Sequence, residues 1–321
     1  MGIKKITVLV LLLMMYVSGC SQQEATGEED SVTRIGIMLS DVGLGDQSFS
    51  DAAFTGLAKA RDELGVVFDY REVDESGSYE EGLQELVEQE NDVIIGLGYM
   101  VQEDLEKVAK ENPDQKFVLI DSVSELSNVT SVTFKADQGS YLAGIMAAIT
   151  TDNNKIGFIG GDDTQIINDF AQGYEQGAKS VNPELDIQVE YAGDFGDDKL
   201  GEEIAEEMAD NEVDVIFAAA GFTGVGALKA AQKQNIFAIG VDSDQYFYAE
   251  KAVITSVMKK VDIAVFDLAQ SLVEKGEIET GHIELGIDNN GVGLAPVRII
   301  ELSDQEKQLI EKAKQNFSQD S

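Results

Sequence analysis

Ser40-Asp-Val-Gly-Leu-Gly-Asp-Gln-Ser-Phe-Ser-Asp51 joins two patterned segments, and the reading of that junction decides the fold. Residues 33–39 (TRIGIML) form a short apolar run of the length expected for a buried strand. Downstream, Phe49, Ala53, Leu57, Ala60 and Leu64 recur at helical spacing, and Gly65 supplies a stop. The junction is therefore a strand-to-helix loop. Gly43 and Gly45 permit sharp turning, and Ser48 followed three residues later by Asp51 has the spacing of a capping box. Such a loop sets backbone N–H groups, the carboxylates of Asp41 and Asp46, a hydroxyl and Phe49 at the carboxyl end of a strand, which is where ligands sit in open α/β sheets.

Outward from this loop, strands and helices keep alternating. Strands are expected at 66–70, 92–96, 116–121 and 129–134, with helices at 79–88 and 102–111. A helix over 139–149 opens a second series of similar size. Its strands fall at 155–160, 186–191, 213–219 and 236–241, and its helices at 166–180, 200–210 and 225–234. This rhythm predicts an α/β protein of two doubly wound parallel-sheet domains. A strand at 253–257, a helix at 262–275, a glycine-rich stretch to Pro296 and a last helix near 303–317 are too few for a third domain. They are expected to recross between the first two and form a hinge. The resulting division is 33–136 with 258–279 for the N-terminal domain, and 137–257 with 280–321 for the C-terminal one.

Residues 1–19 carry the pattern of an export signal: Lys4 and Lys5, an apolar centre over 6–16, then small residues leading to Cys20. The apolar run is too short to remain as a membrane span. Cys20, the one cysteine in 321 residues, stands where a bacterial lipobox places the cysteine that is lipidated and becomes the mature N-terminus. A lone cysteine makes no internal disulfide. Residues 20–32 read as a lipidated flexible tether, with a reach of roughly 20 Å for a dozen residues.

With 43% hydrophobic residues and 3 prolines the chain can bury a sizeable core, and its formal charge of −37 is spread without a single acidic block. That excludes nucleic acid as a partner. The acid excess serves solvation and says nothing about the ligand. Gly96-Leu-Gly98 lacks the third glycine of a dinucleotide loop, and no Walker sequence occurs. The acidic pairs Asp162-Asp163 and Asp197-Asp198 lack calcium-loop spacing. His282 is the only histidine, so neither a histidine-based nucleophile system nor a histidine zinc cluster can be assembled. No catalytic residue, metal or cofactor is expected. What recurs is an aromatic ring or a carboxylate just past a strand: Asp41 and Phe49, Asp121, Asp194 and Phe195, the Gly221–Gly224 turn, Asp242 and Asp244. Two parallel sheets facing each other would gather these groups at one cleft, where a ring could stack and a diol could donate to a carboxylate.

The chain resembles the basic-membrane-protein family of bacterial lipoproteins from about residue 33 to about residue 296. The likeness is carried by DVGLGDQSFSDAAFTGL from Asp41, SVTFKADQGSYLAG from Ser131, DFAQGYEQGAK from Asp169, AAAGFTGVGALKAA from Ala218, IGVDSDQ from Ile239 and ITSVMKKVDIAV from Ile254. The resemblance implies the type I periplasmic-binding-protein fold, with a hinge of three crossovers. It also implies a nucleoside, purine in the first instance, bound between the domains. Asp41 would face the ligand, Phe49 stack on the base, Asp121 make a polar contact and Phe195 form the opposing aromatic lid. Gly221 would mark a close backbone approach, and Asp242 and Lys259 would surround the ribose, with Lys259 opening the helix that returns to the N-terminal domain. The chain departs from the family at Ser50, where asparagine is usual, at Phe54, where tryptophan is common, and at Gly196, where asparagine often follows the phenylalanine. The expected protein is a monomeric, lipid-anchored solute-binding component on the extracytoplasmic face of the cell membrane, partnered by an ABC permease. The alternatives are a binding or sensory lipoprotein for another small polar ligand such as a sugar, and an exported nucleoside-cleaving enzyme using a cleft aspartate as general base.

Overall fold

The first strand, β1 (Arg34–Met38), is buried on both faces, the signature of a parallel strand covered by helices on either side. The computed structural model to which it belongs describes residues 32–319. The export segment, Cys20 and the tether through residue 31 lie outside the described residues.

After β1 come α1 (Phe49–Leu64), β2 (Val67–Arg71), the short α2 (Val73–Ser76), α3 (Tyr79–Glu88), β3 (Val93–Leu97), α4 (Gln102–Glu111), β4 (Lys116–Ile120) and β5 (Val129–Phe134). The second series comprises α5 (Ala136–Thr150), β6 (Lys155–Gly160), α6 (Gln165–Val181), β7 (Asp186–Tyr191), α7 (Asp198–Asp210), β8 (Val215–Ala219), α8 (Gly221–Gln234), β9 (Phe237–Asp242) and β10 (Val253–Lys259). Then follow α9 (Val261–Lys275), β11 (His282–Leu285), β12 (Val292–Leu294) and α10 (Asp304–Gln319).

The strands form two sheets, ordered β11-β5-β4-β3-β1-β2 and β12-β10-β9-β8-β6-β7. All neighbours are parallel except β12, which runs antiparallel to β10. The two orders are the same pattern repeated, so β4 and β9 hold corresponding places, as do β5 and β10. In the first lobe, Ile35, Ile37, Ile95, Val118 and Ile120 pack against Leu57 of α1 and Val265 and Leu268 of α9. In the second, Phe158, Phe170, Tyr174 and Phe217 form an aromatic core with ring centroids 5.4–6.2 Å apart.

The chain passes between lobes three times: from β5 into α5, from β10 into α9, and between β11 and β12. The first two passages are tied to the third in matching fashion. The Lys135 N–H donates to Leu285 O and the Lys260 N–H to Gly291 O, each at 2.8 Å.

Three local expectations are corrected. Residues 282–285 join the first sheet as β11, alongside β5 from His282↔Ser131 to Leu285↔Phe134, because a parallel partner completes an otherwise open edge. They do not belong to the second domain. Lys259 closes β10 instead of opening a helix, because the pairing with β12 runs through Lys259↔Val292. The Ser48 hydroxyl makes no cap bond to α1; that work falls to a carboxylate described below.

Candidate functional site

The carboxyl ends of β1, β3 and β4 face those of β8, β9 and β10 across a cavity. It encloses about 720 Å³ of empty space, including its opening to solvent. All seven residues expected at the site border it: Asp41, Phe49, Asp121, Phe195, Gly221, Asp242 and Lys259.

The cavity floor is charged. Lys259 is 5% exposed and its ammonium pairs with Asp121 Oδ2 from the other lobe. The same ammonium lies 4.6 Å from the ring centroid of Phe49, 5.4 Å from that of Phe134 and 6.0 Å from that of Phe170, so aromatic faces supply most of the remaining solvation. Asp121 follows β4 and Asp242 closes its counterpart β9, and both have left-handed backbones, with φ of +68° and +61°. That conformation is unusual for a non-glycine residue and turns both carboxylates at the strand ends. Burial raises the Asp121 pKa; the Lys259 charge opposes the rise and the Asp242 charge adds to it. Among the described residues Asp121 Oδ1 is buried with no hydrogen-bond partner. A buried acceptor in that state costs roughly 1–3 kcal/mol until a donor reaches it. A ligand hydroxyl would supply one.

The cavity walls are aromatic and come from different lobes. Phe49 opens α1 and lies beside Gly98, where an added Cβ would stand 3.6 Å from the ring. Phe195 lies flat against Gly161, where an added Cβ would come within 2.2 Å of the ring. Its carbonyl accepts the Thr223 N–H at 3.0 Å, while Thr223 Oγ1 accepts the Asp197 N–H at 2.9 Å, so the turn carrying Phe195 is fastened to the start of α8. Gly221, at φ +53°, makes the turn into that helix, and a Cβ there would lie 3.1 Å from Phe195 O.

Asp41 stands exposed at the cavity mouth, its pKa raised first by partial loss of solvent and further by the Asp194 charge. Bonds between the lobes run from Tyr99 OH to Asp162 Oδ2 at 3.0 Å and from Ser48 Oγ to Asp242 Oδ2. Tyr79, Met100, Ile166 and Ile167 complete the outer lining.

Sequence reasoning missed the two further rings of the lysine cage, Phe134 and Phe170. A signal for Phe134 was present: Ser131-Val-Thr-Phe-Lys-Ala-Asp137 and Ser256-Val-Met-Lys-Lys-Val-Asp262 are one motif used twice, and it places Phe134 opposite Lys259 at corresponding strand ends. None of the departing positions Ser50, Phe54 and Gly196 lines the cavity. Phe54 packs edge-on against Phe68 and Tyr70 at 5.4 and 5.8 Å, on the outer side of the first lobe.

Residues 33–319 match the family model described as ABC transporter substrate-binding protein, PnrA-like. The chain belongs to the Bmp family. Among Bmp relatives, a CD4+ T-cell-stimulating antigen of Listeria monocytogenes is 37% identical over 80% of this chain and 79% of its own. Basic membrane protein A of Borreliella burgdorferi is 32% identical over 90% and 86%. The ABC transporter nucleoside-binding protein BmpA of Lactococcus lactis is 31% identical over 88% and 91%. An ABC solute-binding protein from Aeropyrum pernix superposes with a TM-score of 0.83 at 28% identity, covering 90% of this chain and 92% of that one. The fold is thus the type I periplasmic-binding-protein fold. As a Bmp protein the chain is an extracytoplasmic substrate-binding component of an ABC transporter, serving a small-molecule ligand and a permease. Among the described residues no helix is long and apolar enough to cross a membrane.

Proposed function

We propose that this Bmp protein binds a nucleoside, in the first instance a purine nucleoside, in the cleft between its lobes and delivers it to the permease while anchored to the membrane through a lipid on Cys20. One observation carries the reading. Phe49 and Phe195, from opposite lobes, border a single cavity whose floor holds Asp121, Asp242 and Lys259. Rings on either wall suit a flat base, at about 1–3 kcal/mol per stacked ring. Acceptors on the floor, one with a free buried oxygen, suit a hydroxylated sugar. Asp41 would meet the outer edge of the base and Gly221 the ligand where backbone comes close. The nucleoside-binding relative from Lactococcus lactis supports the same choice. Binding is noncovalent and needs no cofactor or metal.

Mass spectrometry of small molecules released on denaturing the purified protein tests the ligand class. A nucleoside is the expected species; a sugar released instead would replace the assignment. Mass spectrometry of the membrane-extracted protein is expected to show the chain beginning at Cys20 with acyl mass attached, and a soluble chain with unmodified Cys20 would remove the anchor. Sensing without transport is the second reading. It is favoured by a neighbour at 25% identity and a TM-score of 0.76, described as a transcriptional activator of the comK gene from Bacillus halodurans. Nucleoside uptake that survives deletion of this gene would support it.

A further inference from the structure

Asp46 borders the cavity but has no part in the roles assigned above; it is 3% exposed and its carboxylate is filled from the backbone, which leaves it little capacity for a ligand. Oδ1 accepts the Ser48 N–H at 2.9 Å and the Asp51 N–H at 3.1 Å; Oδ2 accepts the Ser50 N–H at 2.7 Å. These donors belong to the start of α1 and have no partner within the helix. Asp46 therefore does the capping that sequence spacing assigns to Ser48. Asp51 completes the frame by accepting the Gly45 and Gln47 N–H groups at 2.8 and 3.0 Å.

The capping by Asp46 releases two groups toward the second lobe. The Ser48 hydroxyl donates to Asp242 Oδ2. The Gln47 carbonyl, on a residue held at φ +55°, accepts Gln245 Nε2 at 3.2 Å and Ser243 Oγ at 3.4 Å. Gln245 is itself 1% exposed, and its Oε1 accepts the Val241 N–H at 3.0 Å. A hydrogen-bonded path thus runs from Asp46 through Ser48 to Asp242 at the end of β9, and a second from Asp46 through Asp51 and Gln47 to Ser243 and Gln245 in the loop beyond it.

We propose that Asp46 is the positioning residue for lobe closure: by capping α1 it aims Ser48 and Gln47 at the second lobe, and so sets ligand affinity through groups other than its own. The inference rests on the cleft being the binding site, though not on the ligand being a nucleoside.

The test is hydrogen exchange on the full chain, with guanosine calorimetry beside it. Asp46→Asn keeps the shape and one acceptor oxygen. It should speed exchange in the second-lobe segment 241–246 as well as in 45–51, and weaken guanosine binding about tenfold through faster dissociation, as loss of a hydrogen bond to a charged group implies. Ser48→Ala should reproduce much of the second-lobe change, and the double variant should bind little worse than Asp46→Asn alone, since the residues act in one path. Gln245→Ala gives the reciprocal measurement, in which exchange at 45–51 must rise; it serves equally if Asp46→Asn does not fold. Faster exchange confined to the substituted lobe, or losses of affinity that multiply in the double variant, would overturn the proposal. If wild-type protein ignores guanosine, exchange alone decides the role of Asp46.

Discussion

Lys259 brings a charge into a pocket of three phenylalanines and meets it with Asp121, so truncating the lysine strands a buried carboxylate as well as removing a ligand contact. Lys259→Met should therefore cost about 2–5 kcal/mol of binding. Lys260→Met should cost little, because Lys260 contributes its backbone to the hinge and its side chain has no place in the cavity lining. Titration of both variants with the small molecule released from the purified protein checks this, and equal small losses would place Lys259 outside the site. Phe195 can be tested without touching it: Gly161→Ala sets a methyl into its ring and should weaken binding by about 1–3 kcal/mol, the value of one base stack. Asp46 gives a signed pH dependence. Burial pushes its pKa up to about 6 despite the three N–H groups it accepts, with Asp51 adding to the rise. Between about pH 4 and pH 6 the folded chain then holds a proton that the unfolded chain has lost, so Asp46's contribution to stability falls as pH rises through that window and is constant above it. At roughly 1.4 kcal/mol per pKa unit, the stability difference between wild type and Asp46→Asn should shrink by about 2 kcal/mol from pH 4 to pH 6.5. Urea unfolding at several pH values measures it; a difference that grows with pH would contradict the account.

Helix pairs hold the walls of the cleft, and they pack through glycines close enough that any side chain would collide. An added Cβ at Gly226 of α8 would come 1.8 Å from the Asp198 carbonyl, which begins α7 just past the Phe195 turn; one at Gly177 of α6 would come 1.9 Å from Tyr141 O in α5. Both Gly→Ala changes should lower stability by at least ~1–3 kcal/mol in urea unfolding. Gly226→Ala should also weaken ligand binding through the Phe195 turn, and Gly177→Ala through Ile166, Ile167 and Phe170, which α6 holds against the cavity. Unchanged binding in Gly226→Ala would mean that Phe195 is not set by the α7–α8 contact. The elements themselves were largely legible in the sequence, since apolar runs and helical periodicity are local signals, and the placement of carboxylates and rings just past strands followed from them. The missed features are nonlocal. Residues 282–285 are too short and too polar to announce a strand, and only the open edge beside β5 makes them one. Ser48 has the local pattern of a cap but serves the other lobe, and Phe170 reaches Lys259 from α6 in the second lobe's core.

At the scale of the whole molecule, two lobes of the same strand order meet at three chain passages, and each of the first two is hydrogen-bonded through a lysine N–H to the third. Such a hinge lets the lobes move as bodies while the groups on facing sheet ends keep their internal geometry. The proposed nucleoside is uncharged, so what would hold it is acceptors and rings brought together on closure. The most direct measurement of the central claim is isothermal calorimetry of the folded protein, stripped of retained small molecules, against adenosine, guanosine, inosine, cytidine and uridine at two temperatures. The account predicts binding of at least one purine nucleoside at one per chain, weakened by Phe49→Ala and by Phe195→Ala. Folded wild-type protein that gives no heat with any of the five at either temperature would contradict it.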